Sequence, residues 1–322
     1  MKEYDIRPKK LFEKYLSLSQ KDVKSYFSFK NLKKNNCISC NRKTIFAFEK
    51  NSFHFDECQY CNTLFVNPRP KIKDFQNYYR YSKSVSFWKT FYASTAKSRK
   101  KKIWSPKVKL ILSKINKTNN KILIDIGGGY GVFGSMIKKH FNNDIIIIEP
   151  NQELAEVCKK KDLFVIEKFF EDIKSSDLNS KKNRVFTCFE LVEHLHDVKK
   201  FFKKVKNIMR KGDLFIFSTL SSLGFDILTL GKDSKSVFPP HHLNFLNPFS
   251  TNLLLKKIGF KQIDIITPGE LDVDITINNQ KYIKDKFVQN FIKFSSIKTK
   301  KDFQKFLKEN NFSSHMIVFC KT

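Results

Sequence analysis

Arginine is scarce in this strongly basic sequence. The 322 residues include 61 lysines and arginines against 31 aspartates and glutamates, which gives a formal net charge of +30, yet only seven of the basic residues are arginine. Proteins that read bases or grip phosphates usually rely on arginine, because its planar guanidinium donates two hydrogen bonds at once. The composition therefore predicts a diffuse lysine coat more than a dedicated nucleic-acid surface. Such a coat would still favour anionic substrates or membrane surfaces at low salt.

Long apolar runs are also missing. No stretch approaches the ~20 residues of a transmembrane helix, and the first five residues lack the apolar core of a signal peptide. Hydrophobic residues nevertheless make up 41% of the chain and aromatic residues 14%, which is enough for a sizeable core. We therefore expect a soluble, cytoplasmic protein of about two domains.

The seven cysteines are distributed unevenly. Four of them form two Cys-x-x-Cys pairs, Cys37/Cys40 and Cys58/Cys61, which are separated by 17 residues. Two such pairs at this spacing are typical of a structural zinc site, because four thiolates complete a tetrahedron around the ion. The sequence therefore predicts a closed zinc ribbon with four cysteine ligands, which stabilises a module too small for a core of its own. The other three cysteines stand alone in apolar segments and predict core packing.

The order of the predicted elements divides the chain into three parts. Residues 1–70 predict a helix followed by the zinc module, residues 71–117 a helical linker or cap, and residues 118–322 alternating strands and helices. Predicted strands lie at 121–126, 144–149, 163–166, 184–189, 213–219, 261–266 and 315–320, with helices near 131–141, 151–160, 197–210 and 300–309. This alternation predicts an α/β fold with a mainly parallel sheet and helices on both faces. Residues 221–250 lack periodicity and follow the fifth strand, so we expect a lid or substrate insert there.

A glycine-rich turn follows the first strand of the sheet. Gly127, Gly129 and Gly131 come directly after the strand that contains Asp125. Glycine permits positive φ and lets a ligand approach the backbone closely, and the helix that follows offers free N–H groups. The next strand ends in Glu149, a carboxylate suited to accept both hydroxyls of a ribose. The pattern therefore predicts a nucleotide-containing cofactor.

Two cofactors compete for this turn. The spacing of Gly129, Gly131 and Gly134 satisfies the Gly-x-Gly-x-x-Gly fingerprint of nicotinamide enzymes, but that fingerprint alone is weak. Asp125 stands just before the first glycine, where a carboxylate would repel a pyrophosphate but suits the ammonium group of a methionine. We therefore favour S-adenosylmethionine over a nicotinamide cofactor.

The string from Asp125 to Gly131 resembles motif I of the class I S-adenosylmethionine-dependent methyltransferases. The run Glu190-Leu-Val-Glu193-His194 is similar to the fourth-strand motif of this family in the form seen in ubiquinone-biosynthesis O-methyltransferases, and 211–219 and 253–260 resemble later segments. The resemblance covers about residues 121–322 and implies a Rossmann-like, seven-stranded methyltransferase sheet. It also implies donor contacts from Asp125, Gly127, Gly129, Gly131, Glu149 and Glu190.

The region ahead of residue 121 makes the resemblance more specific. A ribbon with four cysteines, the segment 67–70, a Tyr-Tyr pair at 78–79 and the segment 239–245 are together similar to a bacterial subgroup linked to sugar and surface-polysaccharide modification. This implies methylation of a small molecule or saccharide, with a sugar or nucleotide-sugar as the leading acceptor. The alternative is an rRNA or tRNA methyltransferase whose zinc ribbon grips RNA. The net charge favours that alternative, whereas the scarcity of arginine and the lack of an Asn-Pro-Pro-Tyr motif disfavour it.

Three histidines are candidates for the acceptor side. A hydroxyl acceptor needs a nearby base, and neutral imidazole is available near pH 7. His194 follows the fourth strand, whereas His241 and His242 lie in the expected lid. Glu190, at the end of that strand, is expected to border donor and acceptor. By the ubiquinone-type resemblance, Glu190, Glu193 and His194 could instead hold a divalent ion.

Two residues of the helical cap, Tyr79 and Arg99, are further candidates. Helices ahead of the core often cover the cofactor in this fold, and a guanidinium suits the methionine carboxylate. Alternatively, the tyrosines pack the ribbon onto the core and Arg99 is a surface cation.

Overall fold

The computed structural model describes residues 1–115 and 120–322. The strands are β1 (Ile45–Lys50), β2 (Phe53–Glu57), β3 (Leu64–Val66), β4 (Lys121–Ile126), β5 (Ile145–Ile148), β6 (Phe164–Ile166), β7 (Asn183–Phe189), β8 (Leu214–Leu220), β9 (Asn244–Phe245), β10 (Lys261–Ile266) and β11 (His315–Lys321). The α-helices are α1 (Lys9–Tyr26), α2 (Ile72–Tyr81), α3 (Lys83–Arg99), α4 (Ser105–Lys114), α5 (Val132–Ile137), α6 (Gln152–Lys159), α7 (Val198–Ile208), α8 (Phe225–Leu230), α9 (Pro248–Ile258), α10 (Asp272–Asn278), α11 (Lys286–Phe294) and α12 (Ile297–Glu309). The expected boundary between cap and sheet domain, at 117/118, lies outside the described residues.

Seven strands form the large sheet, in the order β10-β11-β8-β7-β4-β5-β6. Strands β4 to β8 pair in parallel, whereas β11 is antiparallel to both β8 and β10. The prediction of a seven-stranded α/β sheet is therefore confirmed. Because β4 lies between β5 and β7, the strand order reverses at β4. Ligands of open α/β sheets bind outside the carboxyl ends of the strands at such a reversal.

The central strands are continuous apolar runs because both of their faces are buried. The four isoleucines of β5 have no polar residue between them, as expected for a parallel strand covered by helices on both sides. One face packs against α7 through Phe201, Phe202 and Val205. The opposite face packs against α4 and α5 through Ile111 and Phe133. This double burial fixes the position of the loops at the carboxyl ends of the strands.

The N-terminal module forms a second sheet, in the order β1-β2-β3-β9. Strand β9 belongs to the segment 221–250 that the sequence marks as a lid, and it pairs antiparallel with β3. Side chains from both parts share one apolar cluster, which includes Phe53, Phe55, Val237 and Phe245. The expected lid is thereby fixed to the cysteine-containing module through β9 and this cluster.

A long insertion separates β10 from β11, where the sequence predicts only one helix. It contains α10, α11 and α12 and has a small apolar cluster of its own, formed by Ile275, Ile283, Val288 and Ile292 with Leu230 of α8. The first two of these helices have only seven and nine residues, so each gives too short an apolar pattern to predict a helix, whereas α12 is the helix predicted near 300–309. Within residues 1–115 and 120–322, no helix combines the length and the apolar character needed to cross a membrane.

Candidate active site

A cavity of about 1030 Å³ lies at the carboxyl ends of β4, β7 and β8. Its wall includes the glycine turn, the segment from Glu190 to His194, part of the 221–250 segment, the helices α1, α3 and α4, and the start of the long insertion. A pocket for one drug-sized ligand measures roughly 300–1,000 Å³. The cavity is therefore large enough for two small molecules side by side.

The glycine turn leaves one position open to the cavity. Gly129 has a φ of +54°, and a Cβ atom there would meet nothing within 4 Å. Its N–H donates to Glu149 Oε2 at 2.9 Å, and Asn151 N–H donates to Glu149 Oε1 at 3.0 Å. Gly131 also has positive φ, but a Cβ there would lie 2.8 Å from Cys158 Sγ. Gly131 is therefore required for packing, whereas the open side of Gly129 suits a ligand.

The predicted donor-side residues divide into two groups. Those on the cavity wall are Gly127, Gly129, Glu190, Tyr79 and Arg99. Asp125, Gly131 and Glu149 are buried next to that wall. Asp125 accepts a hydrogen bond of 2.7 Å from Thr187 Oγ1, and burial raises the pKa of its carboxyl to about 7. A nearby cation would favour its charged form, so Asp125 suits a neighbouring ammonium group.

Glu190 binds three donors from three different parts of the fold. Its Oε1 accepts from Lys107 Nζ at 3.0 Å, from Ser218 Oγ at 2.6 Å and from His315 Nε2 at 2.6 Å. The residue has a φ of +53°, which is rare outside glycine and is common at functional sites. Sequence reasoning missed Lys107 and His315, because one lysine among 54 and one histidine in a β-strand carry no motif.

Lys107 is the most buried cation on the cavity wall that also faces a carboxylate. Its side chain is only 4% exposed, and its ammonium lies 4.9 Å from the ring centroids of both Trp104 and Phe189. Arg99, the predicted cation, donates instead to Thr95 Oγ1 and to the carbonyl of Ile6, each at 2.9 Å. Two cations thus line the cavity, and each already donates to acceptors of the protein.

The cap helix α3 contacts the glycine turn directly. Tyr92 of α3 stacks on Tyr130 of the turn, with ring centroids 4.2 Å apart and an interplanar angle of 9°. Tyr79, from α2, makes edge-to-face contacts with Tyr78 and His241. The two neighbouring tyrosines therefore have different surroundings. Tyr78 is fully buried, whereas Tyr79 lines the cavity.

The three predicted histidines lie together on the cavity wall. The ring of His194 lies 5.0 Å from that of His242 and 6.3 Å from that of His241. His241 Nε2 lies 2.7 Å from the hydroxyl of Tyr15 and 2.8 Å from that of Tyr78, so this nitrogen is already engaged. His242 Nδ1 donates to the carbonyl of Ser236 at 2.6 Å. Since a carbonyl only accepts, Nε2 of neutral His242 keeps its lone pair.

Burial keeps this histidine cluster neutral. Loss of contact with water lowers the pKa of His194 to about 4 and that of His242 to about 3, and it holds the pKa of His241 well below its usual range. Burial, together with the nearby Glu190, also raises the pKa of Glu193 to about 8. At neutral pH the imidazoles are therefore uncharged, because the charged form of each is disfavoured.

The alternative metal set is arranged differently from the expectation. Ligand atoms of Glu193, His194 and His242 lie within 4.8 Å of one another. Glu190 is occupied by Lys107, Ser218 and His315 instead. A divalent ion at this place would thus have one carboxylate and two imidazoles as ligands.

The four paired cysteines form a separate cluster. Their Sγ atoms lie within 4.8 Å of one another, with separations of 3.5 Å for Cys37/Cys61 and 3.4 Å for Cys40/Cys58. Four sulfurs bound to zinc at about 2.3 Å would be about 3.8 Å apart. Each pair is followed by an asparagine with positive φ, Asn41 or Asn62, whose N–H donates back to the first cysteine's carbonyl. The two matching turns fit a tetrahedral ion.

Comparison with known proteins identifies the sheet domain. The model of the family described as "Methyltransferase domain" matches residues 96–265, which is more than half of the chain. The chain belongs to this family. It is an S-adenosylmethionine-dependent methyltransferase of class I, as the sequence predicts. No curated protein matches the sequence.

Solved structures of methyltransferases are similar in fold at low sequence identity. A methyltransferase of Thermotoga maritima, described as a possible histamine N-methyltransferase, is 13% identical, with a TM-score of 0.49 over 76% of this chain and 98% of its own. One from Archaeoglobus fulgidus is 14% identical, with a TM-score of 0.48 over 72% of this chain and 100% of its own. Human N-acetylserotonin methyltransferase is 11% identical, with a TM-score of 0.47 over 77% of this chain and 58% of its own.

The cysteine cluster predicts one zinc ion per methyltransferase chain. Cys58→Ser should lose the ion and lower the midpoint of thermal unfolding, because structural zinc contributes folding free energy. Cys320→Ser is the matched control, since Cys320 is equally buried but lies outside the cluster. Elemental analysis of purified protein checks both variants. A folded, reduced wild-type protein without zinc would contradict the prediction.

The glycine turn predicts a specific role for Glu149. Glu149→Ala should weaken binding of S-adenosylmethionine by about 1–3 kcal/mol, the usual loss when a charged hydrogen-bond acceptor is removed. Titration calorimetry measures this change. Glu153→Ala, an exposed carboxylate on the adjacent helix α6, serves as the control. Equal affinity of the Glu149 variant and the wild type would show that this carboxylate does not contact the donor.

Proposed function

We propose that this methyltransferase transfers a methyl group to a small molecule or saccharide, with a sugar or nucleotide-sugar of a surface polysaccharide as the leading acceptor. The observation that carries the proposal is the shape of the cavity. It holds the glycine turn on one side and the cluster of His194, His241 and His242 on another, and the cap helices contribute to its wall. Such a cavity suits a small polar acceptor beside the donor.

The donor side follows from the turn and the cations around it. S-adenosylmethionine, when bound, supplies a methyl group that is already activated. Glu149 accepts the ribose hydroxyls, and the open backbone at Gly129 contacts the methionine part. Lys107 and Arg99 are the two candidate cations for the methionine carboxylate. Lys107 already donates to Glu190 and Ser218, and Arg99 to Ile6 and Thr95, so the donor would add to these contacts.

The acceptor side needs a group that aligns a hydroxyl and receives its proton. His242 meets this need because its Nδ1–H is held by Ser236, which leaves Nε2 as an acceptor. His194 is the second candidate, because its ring centroid lies 5.0 Å from that of His242. His241 has its Nε2 between Tyr15 and Tyr78, so it is a positioning residue that holds α1 and α2 against the acceptor site. Glu190 orients Lys107 and borders both sites.

An RNA acceptor is less compatible with these features. A base would have to enter a cavity whose wall is formed in part by α1, α3 and α4, and the lysines are distributed along the whole chain. The direct test is a donor-consumption screen with nucleotide sugars and, in parallel, with unmodified RNA. Turnover with at least one sugar-containing acceptor supports the proposal. Turnover with RNA alone would replace it with the RNA alternative.

The histidine geometry predicts that alanine substitutions of His242 and His241 change different kinetic parameters. His242→Ala should lower kcat by about 10²- to 10⁴-fold, the range for a lost general base, with donor affinity nearly unchanged. His241→Ala should mainly raise the acceptor KM, since it removes a positioning contact and no proton acceptor. Steady-state kinetics and donor calorimetry separate the two outcomes. Full turnover in His242→Ala would remove it from the mechanism.

The pH profile provides the second readout for the same prediction. A base is active in its deprotonated form, so its rate falls only as the pH drops below its pKa. Because burial lowers the pKa of His242 to about 3, the rate should stay level between about pH 5 and about pH 7. An ordinary histidine would be half protonated near pH ~6.5. A fall in rate centred there would mean that the base is exposed to water.

A further inference from the structure

The most exposed large hydrophobic side chains of the described residues are close together in the long insertion. Phe287 and Phe294 are each 72% exposed and Ile297 is 76% exposed. Phe287 and Phe294 are seven residues apart on α11, so they lie on one face, and Ile297 begins α12 just beyond. We call these three residues the exposed apolar face. A soluble surface normally scatters such side chains singly, so a cluster indicates a binding surface.

Lysines surround the exposed apolar face. Residues 281–309 contain nine lysines against three acidic residues. Lys284, Lys286, Lys293 and Lys298 are all exposed, and none of them forms an ion pair with any residue in the described ranges. One of the three acids, Asp285, caps α11 through the N–H of Val288. The partner of this surface must therefore be both negatively charged and able to accept apolar side chains.

We propose that the exposed apolar face and its lysines form a docking site for an anionic membrane surface. Aromatic and aliphatic side chains flanked by lysines are the composition of helices that lie in a membrane interface, where the apolar groups enter the acyl boundary and the lysines meet anionic headgroups. A second copy of the chain would bring like charges together. RNA would use the lysines but leaves no apolar environment for Ile297.

The docking site is joined to the cavity by a short path. Ile275 of α10 lines the cavity and also belongs to the apolar cluster with Val288 and Ile292 of α11. Phe287 and Phe294 of the exposed apolar face are on the same helix as those two residues, and Ile297 begins the next one. Contact with a membrane would therefore place the cavity wall close to the lipid surface, where an acceptor attached to a lipid is within reach.

Sedimentation of the full-length protein with lipid vesicles tests this proposal. Wild-type protein should bind vesicles of phosphatidylglycerol mixed with phosphatidylcholine and should bind pure phosphatidylcholine vesicles weakly. The triple variant Phe287→Ser, Phe294→Ser, Ile297→Ser should lose binding by at least about tenfold, because it keeps all lysines but removes the groups that enter the bilayer. The loss should be greatest at high salt, where lysine attraction is screened.

A control variant removes three other well-exposed hydrophobic side chains that lie outside the long insertion. Ile72, Tyr81 and Phe164 are 56–65% exposed, so the triple serine variant of these residues should fold and bind vesicles like the wild type. Unchanged binding by the variant of the exposed apolar face would overturn the proposal, as would binding to RNA without binding to vesicles. The assay contains no donor or acceptor, so its result is independent of the proposed methylation.

Discussion

One carboxylate oxygen holds the active-site region of this methyltransferase together. Glu190 Oε1 receives donors from Lys107 of the cap helix α4, from Ser218 of β8 and from His315 of β11. These residues are far apart in the chain, so the contact closes three separate loops at once. It also explains the positive φ of Glu190, because the rest of the site determines where its carboxylate must lie. Removing it would leave a buried lysine without a counter-charge, which is strongly unfavourable.

Burial of ionisable side chains in the cavity wall costs stability, but it also sets their protonation states. Charged groups withdrawn from water shift toward their neutral forms, and this lowers the pKa of His194 and His242 while it raises that of Glu193. Hydrogen bonds then decide what each neutral group can do. His242 keeps a free lone pair because a carbonyl holds its other nitrogen, whereas two tyrosine hydroxyls occupy His241. The adjacent histidines His241 and His242 thus differ in the hydrogen bonds that they can still form.

The features predicted most accurately are those that depend on residues close together in the sequence. All seven strands of the large sheet lie within two residues of their predicted bounds, because apolar runs and glycine turns are local signals. Three features escaped prediction: the pairing of β9 with the cysteine-containing module, the contact of Lys107 with Glu190, and the helices α10 and α11 of the long insertion. Each depends on residues distant in sequence or on helices of only seven and nine residues, whose apolar patterns are short. For His194, His241 and His242, the sequence predicted a common place on the acceptor side but not their hydrogen bonds.

The lysine coat and the exposed apolar face bear on one question, namely how this methyltransferase meets its acceptor. A uniform positive charge attracts any polyanion, so charge alone cannot distinguish RNA from a lipid surface. Apolar side chains can distinguish them, because only a bilayer offers an environment into which Ile297 transfers favourably. Ile275 lines the cavity and also belongs to the apolar cluster with Val288 and Ile292 of α11, so one cluster connects the insertion to the cavity wall. A saccharide carried on an anionic lipid would satisfy the charge, the apolar face and the cavity together.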